Sequence, residues 1–227
     1  MQPAGRAGDE RADLFRTQRD DHIDLGEGHL IQAFRAVVRD VDAKGVLQLA
    51  RELAEEALLP MVIDADGLNA LAGDLSLLTR RKSPDIILTP HPGEMARLAG
   101  VAAEAVESDR IGTARGFAVK YRVFIVLKGA RTVIAAPDGR IALNGSGNPG
   151  MASGGMGDVL TGVLVALLGQ GYDPFDACKL GVFLHGHAAD LVAAEKGEIG
   201  MSAVDVQERL PYALKDLMNV PATKLRP

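Results

Sequence analysis

Tryptophan is absent from this 227-residue chain, and aromatic residues make up only 4% of it. The basic residues are scattered rather than gathered into a stripe, and the formal net charge is −5. Proteins that bind nucleic acids usually present a basic face, often with aromatic side chains that stack on bases. We therefore expect no nucleic-acid partner.

Long apolar runs and cysteines are also scarce. No stretch approaches the roughly 20 apolar residues of a membrane-spanning helix, and the first residues, MQPAGRAGDERADLFRTQRDD, are too polar for a secretory signal. The single cysteine, Cys178, excludes a disulfide within the chain. We expect a cytoplasmic protein with no membrane partner, in which Cys178 is a buried structural residue.

Apolar residues are plentiful, at 47%, which is enough for one domain with a sizeable core. Strands are predicted at Met61–Ile63, Asp85–Leu88 and Arg122–Leu127, and a hairpin flanks the turn signal Pro137-Asp138-Gly139. Helices are expected at 44–59, 68–71, 75–81, from Pro92, and at 103–121, 153–168, 173–195 and 202–217. Strands that are apolar on both faces and alternate with helices indicate an α/β fold with a mostly parallel sheet covered on both sides.

Charges and glycines alternate without periodicity in residues 1 to about 28, whereas an apolar stretch from His29 to Val41 fits either a strand or a turn of helix. We interpret residues 1–43 as a divergent or partly disordered N-terminal segment and residues 44–227 as the domain.

The stretch from Asn144 to Gly171 begins as a glycine-rich loop and becomes a helix. Glycines let a backbone approach a ligand closely, and unpaired N–H groups at a helix N-terminus attract anions. The pattern predicts a phosphate site, although it is neither a P-loop nor a dinucleotide fingerprint.

An acid, Asp158, lies among these glycines. Its plain interpretation is a favourable contact with the helix dipole, worth roughly 0.3–1 kcal/mol. Against this, Gly154, Gly155 and Gly157 weaken the helix start by up to about 1 kcal/mol each. A base that deprotonates a hydroxyl beside a phosphate accounts for both features.

Three polar clusters follow predicted strands, where open α/β sheets bind their ligands. They are Asp64-Ala65-Asp66, the segment Thr89–Glu94, and Lys128-Gly129 with Thr132. We expect them to converge on one crevice with the glycine loop.

Each cluster keeps a structural alternative. Asp64 and Asp66 either cap a helix or contact a substrate or metal. Asn69 either binds a ligand or simply lies in a helix end. His91 lies between two prolines, which favours a ligand contact. Glu94 is suited to the helix dipole, Lys128 needs a phosphate or a carboxylate partner, and Thr132 can be an ordinary strand residue. Further along, His185 and His187 point in different directions on a helix, so we expect no chemistry from them and a helix-packing role for Gly181 and Gly186.

Taken together, the motifs VIDADGLNAL, LTPHPGEMARL, VLKGARTVI, NPGMASGGMGDVLTG and HGHAAD resemble, in this order, the NAD(P)H-hydrate dehydratase family. The resemblance runs from about Leu59 to Leu217. It implies a ribokinase-like three-layer sandwich and the repair of a damaged nicotinamide cofactor, the S epimer of NADHX or NADPHX. ADP, or ATP, would phosphorylate the hydroxyl, and loss of phosphate would restore NADH or NADPH. Magnesium is expected with the nucleotide, and a homo-oligomer is the expected assembly.

The resemblance also implies roles for individual residues. Asp158 would act as the base and contact the hydrate together with His91. We place Asp64 and Asn69 on the same substrate side. The predicted nucleotide site consists of Lys128, Gly129, Ala130, Arg131, Thr132, Gly155 and Gly157.

The chain departs from the family pattern before Lys44. A GSxxGYxGA-like turn and a GPGLG-like turn are missing, and Val37-Val38-Arg39-Asp40-Val41-Asp42 stands where the second would be. Two alternative functions therefore remain: a vitamin-precursor kinase of the same fold, and a truncated inactive relative that only binds nucleotide.

Overall fold

The computed structural model describes residues 43–219. The predicted N-terminal segment 1–43 lies outside the described residues except for its last position, so its interpretation and the domain boundary stay predictions.

A five-stranded mixed sheet lies at the centre of the described chain, in the order β1-β2-β3-β4-β5. Its strands are β1 (Met61–Ile63), β2 (Ile86–Leu88), β3 (Phe124–Leu127), β4 (Val133–Ala135) and β5 (Ile141–Leu143). The first three are parallel, with Ile63 opposite Leu88 and Leu88 opposite Ile125. β4 and β5 form the predicted antiparallel hairpin.

Helices cover both faces of this sheet. In the described part of the chain they are α1 (Ala43–Glu56), α2 (Ala65–Ala72), α3 (Leu77–Arg80), α4 (Pro92–Ala99), α5 (Ala103–Ser108), α6 (Arg110–Tyr121), α7 (Met156–Gly169), α8 (Pro174–Lys196) and α9 (Ala203–Met218). A 3-10 turn, Pro149–Met151, precedes α7. Among residues 43–219, no helix combines the length and the apolar character needed to cross a membrane.

Alternate strand residues point to opposite layers, as the two-residue period of a strand requires. Ile86, Leu88 and Ile125 pack in one core cluster with the helices α1–α6. Ile87 and Val126 pack in a second cluster with α7 and α8. The predicted three-layer arrangement is thereby confirmed for the described residues.

The second cluster also contains Cys178, which is fully buried. Burial raises the pKa of its thiol well above the usual range. A thiol that stays protonated is a poor nucleophile, in agreement with the predicted structural role.

Two helices differ from their predicted form. The segment 103–121 is not one helix, because it breaks at Asp109, whose carboxylate accepts a hydrogen bond from Gly112 N and starts a new helix. α7 begins at Met156 rather than Ser153, because Gly155 adopts a left-handed conformation with φ of 83°. α7 also buries mainly one face although its sequence is apolar nearly all round: Val165 is 52% exposed.

Candidate functional site

The predicted strand-end clusters meet at Lys128, which follows β3. Its Nζ lies 2.6 Å from Asp64 Oδ1, after β1, and 3.8 Å from Glu94 Oε2, in the first turn of α4. All three side chains are largely buried. The ammonium group thus has the carboxylate partners that such a position demands. Of the two predicted partners for Lys128, phosphate or carboxylate, the structure shows carboxylate.

His91 holds Glu94 in place through a capping box at the start of α4. His91 Nδ1 accepts hydrogen bonds from Gly93 N at 3.0 Å and Glu94 N at 3.3 Å. In return, Glu94 Oε2 accepts from His91 N at 2.8 Å. Because Nδ1 accepts, a neutral ring carries its proton on Nε2, which lies 3.5 Å from Glu94 Oε1. About half of the His91 side chain is exposed.

The glycine loop reaches this cluster at Gly157, in the first turn of α7. A methyl group there would lie 3.0 Å from Asp64 Oδ2 and 3.5 Å from Lys128 Nζ. One turn later, Thr161 Oγ1 is 3.5 Å from Asp64 Oδ2. The start of α7 therefore lies directly against the ion pair, and a larger residue at this position would require the Asp64 side chain to shift. The predicted convergence of the loop and strand ends is confirmed.

The next residue, Asp158, is exposed. Within residues 43–219 its carboxylate makes no hydrogen bond or ion pair. It therefore remains available for an external group, beside a cluster where the Asp64 and Glu94 carboxylates are already engaged.

Next to this cluster opens a cavity of about 570 Å³. Its lining residues are Lys128, Gly129, Ala130, Arg131, Thr132, Asn144, Gly145, Ser146, Gly147, Asn148, Pro149, Met151, Ala152, Met156, Gly157, Leu160, Val182, His185 and Gly186. Six of the seven residues predicted for the nucleotide site line it. The seventh, Gly155, is not in the lining, and a methyl group on it would meet Ala203 instead.

One wall of the cavity is the loop 128–132, which Arg110 holds in shape. Arg110 Nη1 donates to Ala130 O at 2.6 Å, and Nη2 donates to Leu127 O at 3.1 Å and Lys128 O at 3.2 Å. Gly129 has a φ of 138°, a conformation that favours glycine. With these carbonyls bound to Arg110, the loop is fixed before a ligand arrives.

The facing wall is the loop 144–151, and it is tied to α8. Asp190 accepts hydrogen bonds from Gly147 N at 2.9 Å and from Asn148 Nδ2 at 3.0 Å. Ser146 Oγ donates to Phe183 O at 3.0 Å. A methyl group on Gly186 would lie 2.7 Å from the Ser146 carbonyl carbon. Gly186 thus lets a loop approach the helix rather than serving helix packing, whereas Gly181 contacts Leu164 of α7 as predicted.

Asn69 lies away from this cavity. It accepts a hydrogen bond from Arg97 Nε at 3.1 Å and donates to Asp66 Oδ1 at 3.4 Å, on the exposed side of α2. Asp64, His91 and Asp158 also lie outside the cavity lining, but they adjoin its Lys128–Gly157 end. The sequence thus brings most predicted residues together and leaves Asn69 at the edge.

His185, for which no chemistry was expected, forms part of the cavity wall. Only 6% of His185 is exposed, and its Nε2 atom is enclosed without a hydrogen-bond partner. Burial lowers the pKa of the imidazole from 6.5 to about 4, so the ring is neutral near pH 7. His187 differs: its Nε2 lies 3.2 Å from Asp216 Oδ2, outside the cavity.

Sequence reasoning missed Arg110, Asp190 and His185 as parts of the site. Asp190 and His185 belong to HGHAAD, a motif that supported the family resemblance but whose residues were given no function in the site. The polar run NGSGN, at the start of the glycine-rich loop, was the sequence feature that indicated the cavity wall formed by the loop 144–151.

Comparison with known proteins places this arrangement in a family. The family model described as NAD(P)H-hydrate dehydratase matches residues 41–212, three quarters of the chain. The chain belongs to this family.

Curated members of this family resemble the chain over most of its length. The chain is 48% identical over 171 residues to a bifunctional NAD(P)H-hydrate repair enzyme of Moorella thermoacetica, with 75% of this chain and 32% of the relative aligned. It is 43% identical over 150 residues to an ADP-dependent (S)-NAD(P)H-hydrate dehydratase of Neisseria meningitidis, with 66% and 51% aligned. The chain therefore spans about a third to a half of the length of these relatives.

Solved structures support the ribokinase-like fold of this chain. An ADP/ATP-dependent NAD(P)H-hydrate dehydratase from Bacillus subtilis, co-crystallised with ATP and Mg²⁺, matches with a TM-score of 0.68 at 35% identity, over 76% of this chain and 62% of that one. A ribokinase-like superfamily protein from Enterococcus faecalis matches with a TM-score of 0.63 at 26% identity, over 78% and 60%. The predicted ribokinase-like fold is confirmed.

Proposed function

We propose that this protein catalyses the nucleotide-dependent dehydration of the S epimer of NADHX or NADPHX, restoring NADH or NADPH. The observation that carries the proposal is the exposed, unpaired Asp158, directly after a glycine that lines the cavity. A nucleotide in the cavity would bring its terminal phosphate to this carboxylate. The two B. subtilis and N. meningitidis relatives act, by their names, on NAD(P)H hydrate.

The chain's residues divide the work as follows. The loop 128–132 and the N-terminus of α7 would bind the nucleotide, with backbone N–H groups of α7 facing the phosphates. Lys128 would supply positive charge while its pairing with Asp64 fixes its position. His91 would present its exposed edge to the hydrate, and we place Asp64 and Asn69 on the same side.

Asp158 would take the proton of the hydrate's hydroxyl group. The freed oxygen would attack the terminal phosphorus of ADP or ATP, giving AMP or ADP and a phosphorylated hydrate. The C–O bond would then break as phosphate leaves, and loss of a proton from the adjacent carbon would restore the reduced nicotinamide ring. Each turnover thus consumes one terminal phosphoryl group and releases one inorganic phosphate.

Magnesium is expected to accompany the nucleotide. Within residues 43–219, no three His, Cys, Asp or Glu side chains are grouped to hold a metal ion alone. In nucleotide-dependent enzymes Mg²⁺ is bound largely by phosphates and water, with only one or two carboxylates. The nucleotide phosphates and water would hold the ion, which would neutralise developing phosphate charge. Tighter ADP binding with Mg²⁺ than with EDTA would support this assignment.

The test is an assay of reduced-nicotinamide absorbance after hydrate, Mg²⁺ and either ADP or ATP are supplied, with Asp158→Asn beside the natural sequence. We expect the variant to bind ADP but to lose turnover by about 10²- to 10⁴-fold, as for loss of a general base. A stable phosphorylated product without regained absorbance would instead indicate a kinase. Light scattering on the same sample would test the expected homo-oligomer.

A further inference from the structure

The His185 ring is a polar group with no role in the chemistry above. It lies on α8 in the cavity wall, is 6% exposed, and Nε2 is enclosed without a hydrogen-bond partner. Because this enclosure keeps a ligand away from Nε2, the nitrogen that a ligand can reach is Nδ1, which is not enclosed and has no hydrogen-bond partner within residues 43–219. A polar atom without a partner in the wall of a ligand cavity can receive one from the ligand.

The surroundings of His185 indicate which part of a ligand it faces. Val182, one turn earlier on α8, and Leu160 of α7 line the same cavity with aliphatic side chains. The same cavity takes a cation from Lys128 and a helix N-terminus at Gly157. A flat heterocycle suits an aliphatic wall, whereas phosphate suits a cation and a helix N-terminus.

The chemistry of the ring agrees with this placement. Because burial keeps the imidazole neutral, it offers one N–H donor and one acceptor nitrogen rather than a positive charge. Adenine presents the matching pair of an amino donor and ring-nitrogen acceptors, and a neutral group is a poor choice for binding phosphate.

Close packing and hydrogen bonds also fix the position of the cavity wall that carries His185. Gly186 admits the Ser146 backbone against α8, and Asp190 fixes Gly147 and Asn148 of the facing loop. The relative position of ring and loop is thereby held by two residues that follow His185 on α8.

From this cavity geometry we infer that His185 is a specificity-determining residue that hydrogen-bonds the adenine base of the bound nucleotide. The inference rests on the proposed nucleotide site. In this assignment the HGHAAD motif contacts the adenine base, and the loop 128–132 and α7 bind the phosphates.

The test is calorimetric titration of the full chain with ADP and with inosine diphosphate, in which a carbonyl replaces the amino group of adenine. We expect His185→Ala to weaken ADP binding about 3- to 10-fold, the value of one hydrogen bond between neutral groups, and to reduce the preference for ADP over inosine diphosphate. His187→Ala is the matched control, because His187 is on the same helix but pairs with Asp216 outside the cavity. It should match the natural sequence with both nucleotides.

A second measurement does not depend on the variant folding. In the natural sequence, ADP should shift the NMR signals of the His185 ring nitrogens, and those of His187 should not move. Equal ADP affinity and equal base preference in the His185 and His187 variants, or an unmoved His185 signal at saturating ADP, would overturn the inference.

Failure of the proposed function gives a different result. If Lys128→Ala weakens ADP binding and His185→Ala does not, only the role of His185 is wrong. If the natural sequence does not bind ADP, or Lys128→Ala leaves binding unchanged, the nucleotide site itself is misplaced and both proposals fall.

Discussion

Acid should destabilise this protein through His185 in a way that can be calculated. The folded-state pKa of about 4 lies below the unperturbed value of 6.5, so between these values the unfolded chain binds more protons than the folded one. Stability therefore falls as the pH decreases from 6.5 to 4. The difference of about 2.5 pKa units corresponds to a loss of about 3 kcal/mol, at 1.36 kcal/mol per unit. That is a large part of the roughly 5–15 kcal/mol of a typical domain.

The assay is urea unfolding near pH 7.5 and near pH 4.5, for the natural sequence and for His185→Gln. The variant removes the titrating ring while the other acids and histidines stay, so their contributions cancel in the comparison. We expect the natural sequence to lose about 2–3 kcal/mol more than the variant between the two pH values. Parallel losses would refute the reasoning, because they would mean that the ring charges without unfolding and is not buried as described.

The remaining predictions concern the cavity walls. Gly186→Ala should destabilise by roughly 1–3 kcal/mol and weaken ADP binding, because the new methyl group would lie 2.7 Å from the Ser146 carbonyl carbon. The control is Gly162→Ala on α7, where the new methyl group meets open space and should stabilise the fold by about 0.5–1 kcal/mol. Changes of the same sign for the two variants in urea unfolding would contradict the role assigned to Gly186. Lys128→Met should lower the free energy of unfolding by roughly 1–3 kcal/mol in the same assay, because it leaves the Asp64 carboxylate unpaired. This value is below that of a fully buried pair because the two side chains are partly exposed to solvent. An unchanged midpoint would show that the pair contributes little.

The sequence predicted the scaffold because its signals are local. Apolar runs such as Ile86–Leu88 mark buried strands, and Pro137-Asp138-Gly139 marks the hairpin turn. The crevice at the strand ends followed from topology, since parallel strands deliver their carboxyl ends to one edge of the sheet. The meeting of Asp64, Lys128 and Gly157 is the consequence.

The details of the site depend on contacts between distant parts of the chain. Asp190 bonds Gly147 from 43 positions away, and Arg110 bonds Lys128 from 18 positions away. No periodicity encodes such partners. His185 also shows the limit of helical spacing, which indicated that His185 and His187 point in different directions but did not reveal that one ring lines a cavity and the other pairs with an acid.

The most direct test of the central claim is the hydrate-repair assay with ADP and ATP in parallel. We expect reduced-nicotinamide absorbance to return with at least one nucleotide and inorganic phosphate to be released in equal amount. Asp158→Asn should lower the rate of both signals by about 10²- to 10⁴-fold. No return of absorbance with either nucleotide, from a protein that binds ADP, would contradict the account and leave a nucleotide-binding relative without this activity.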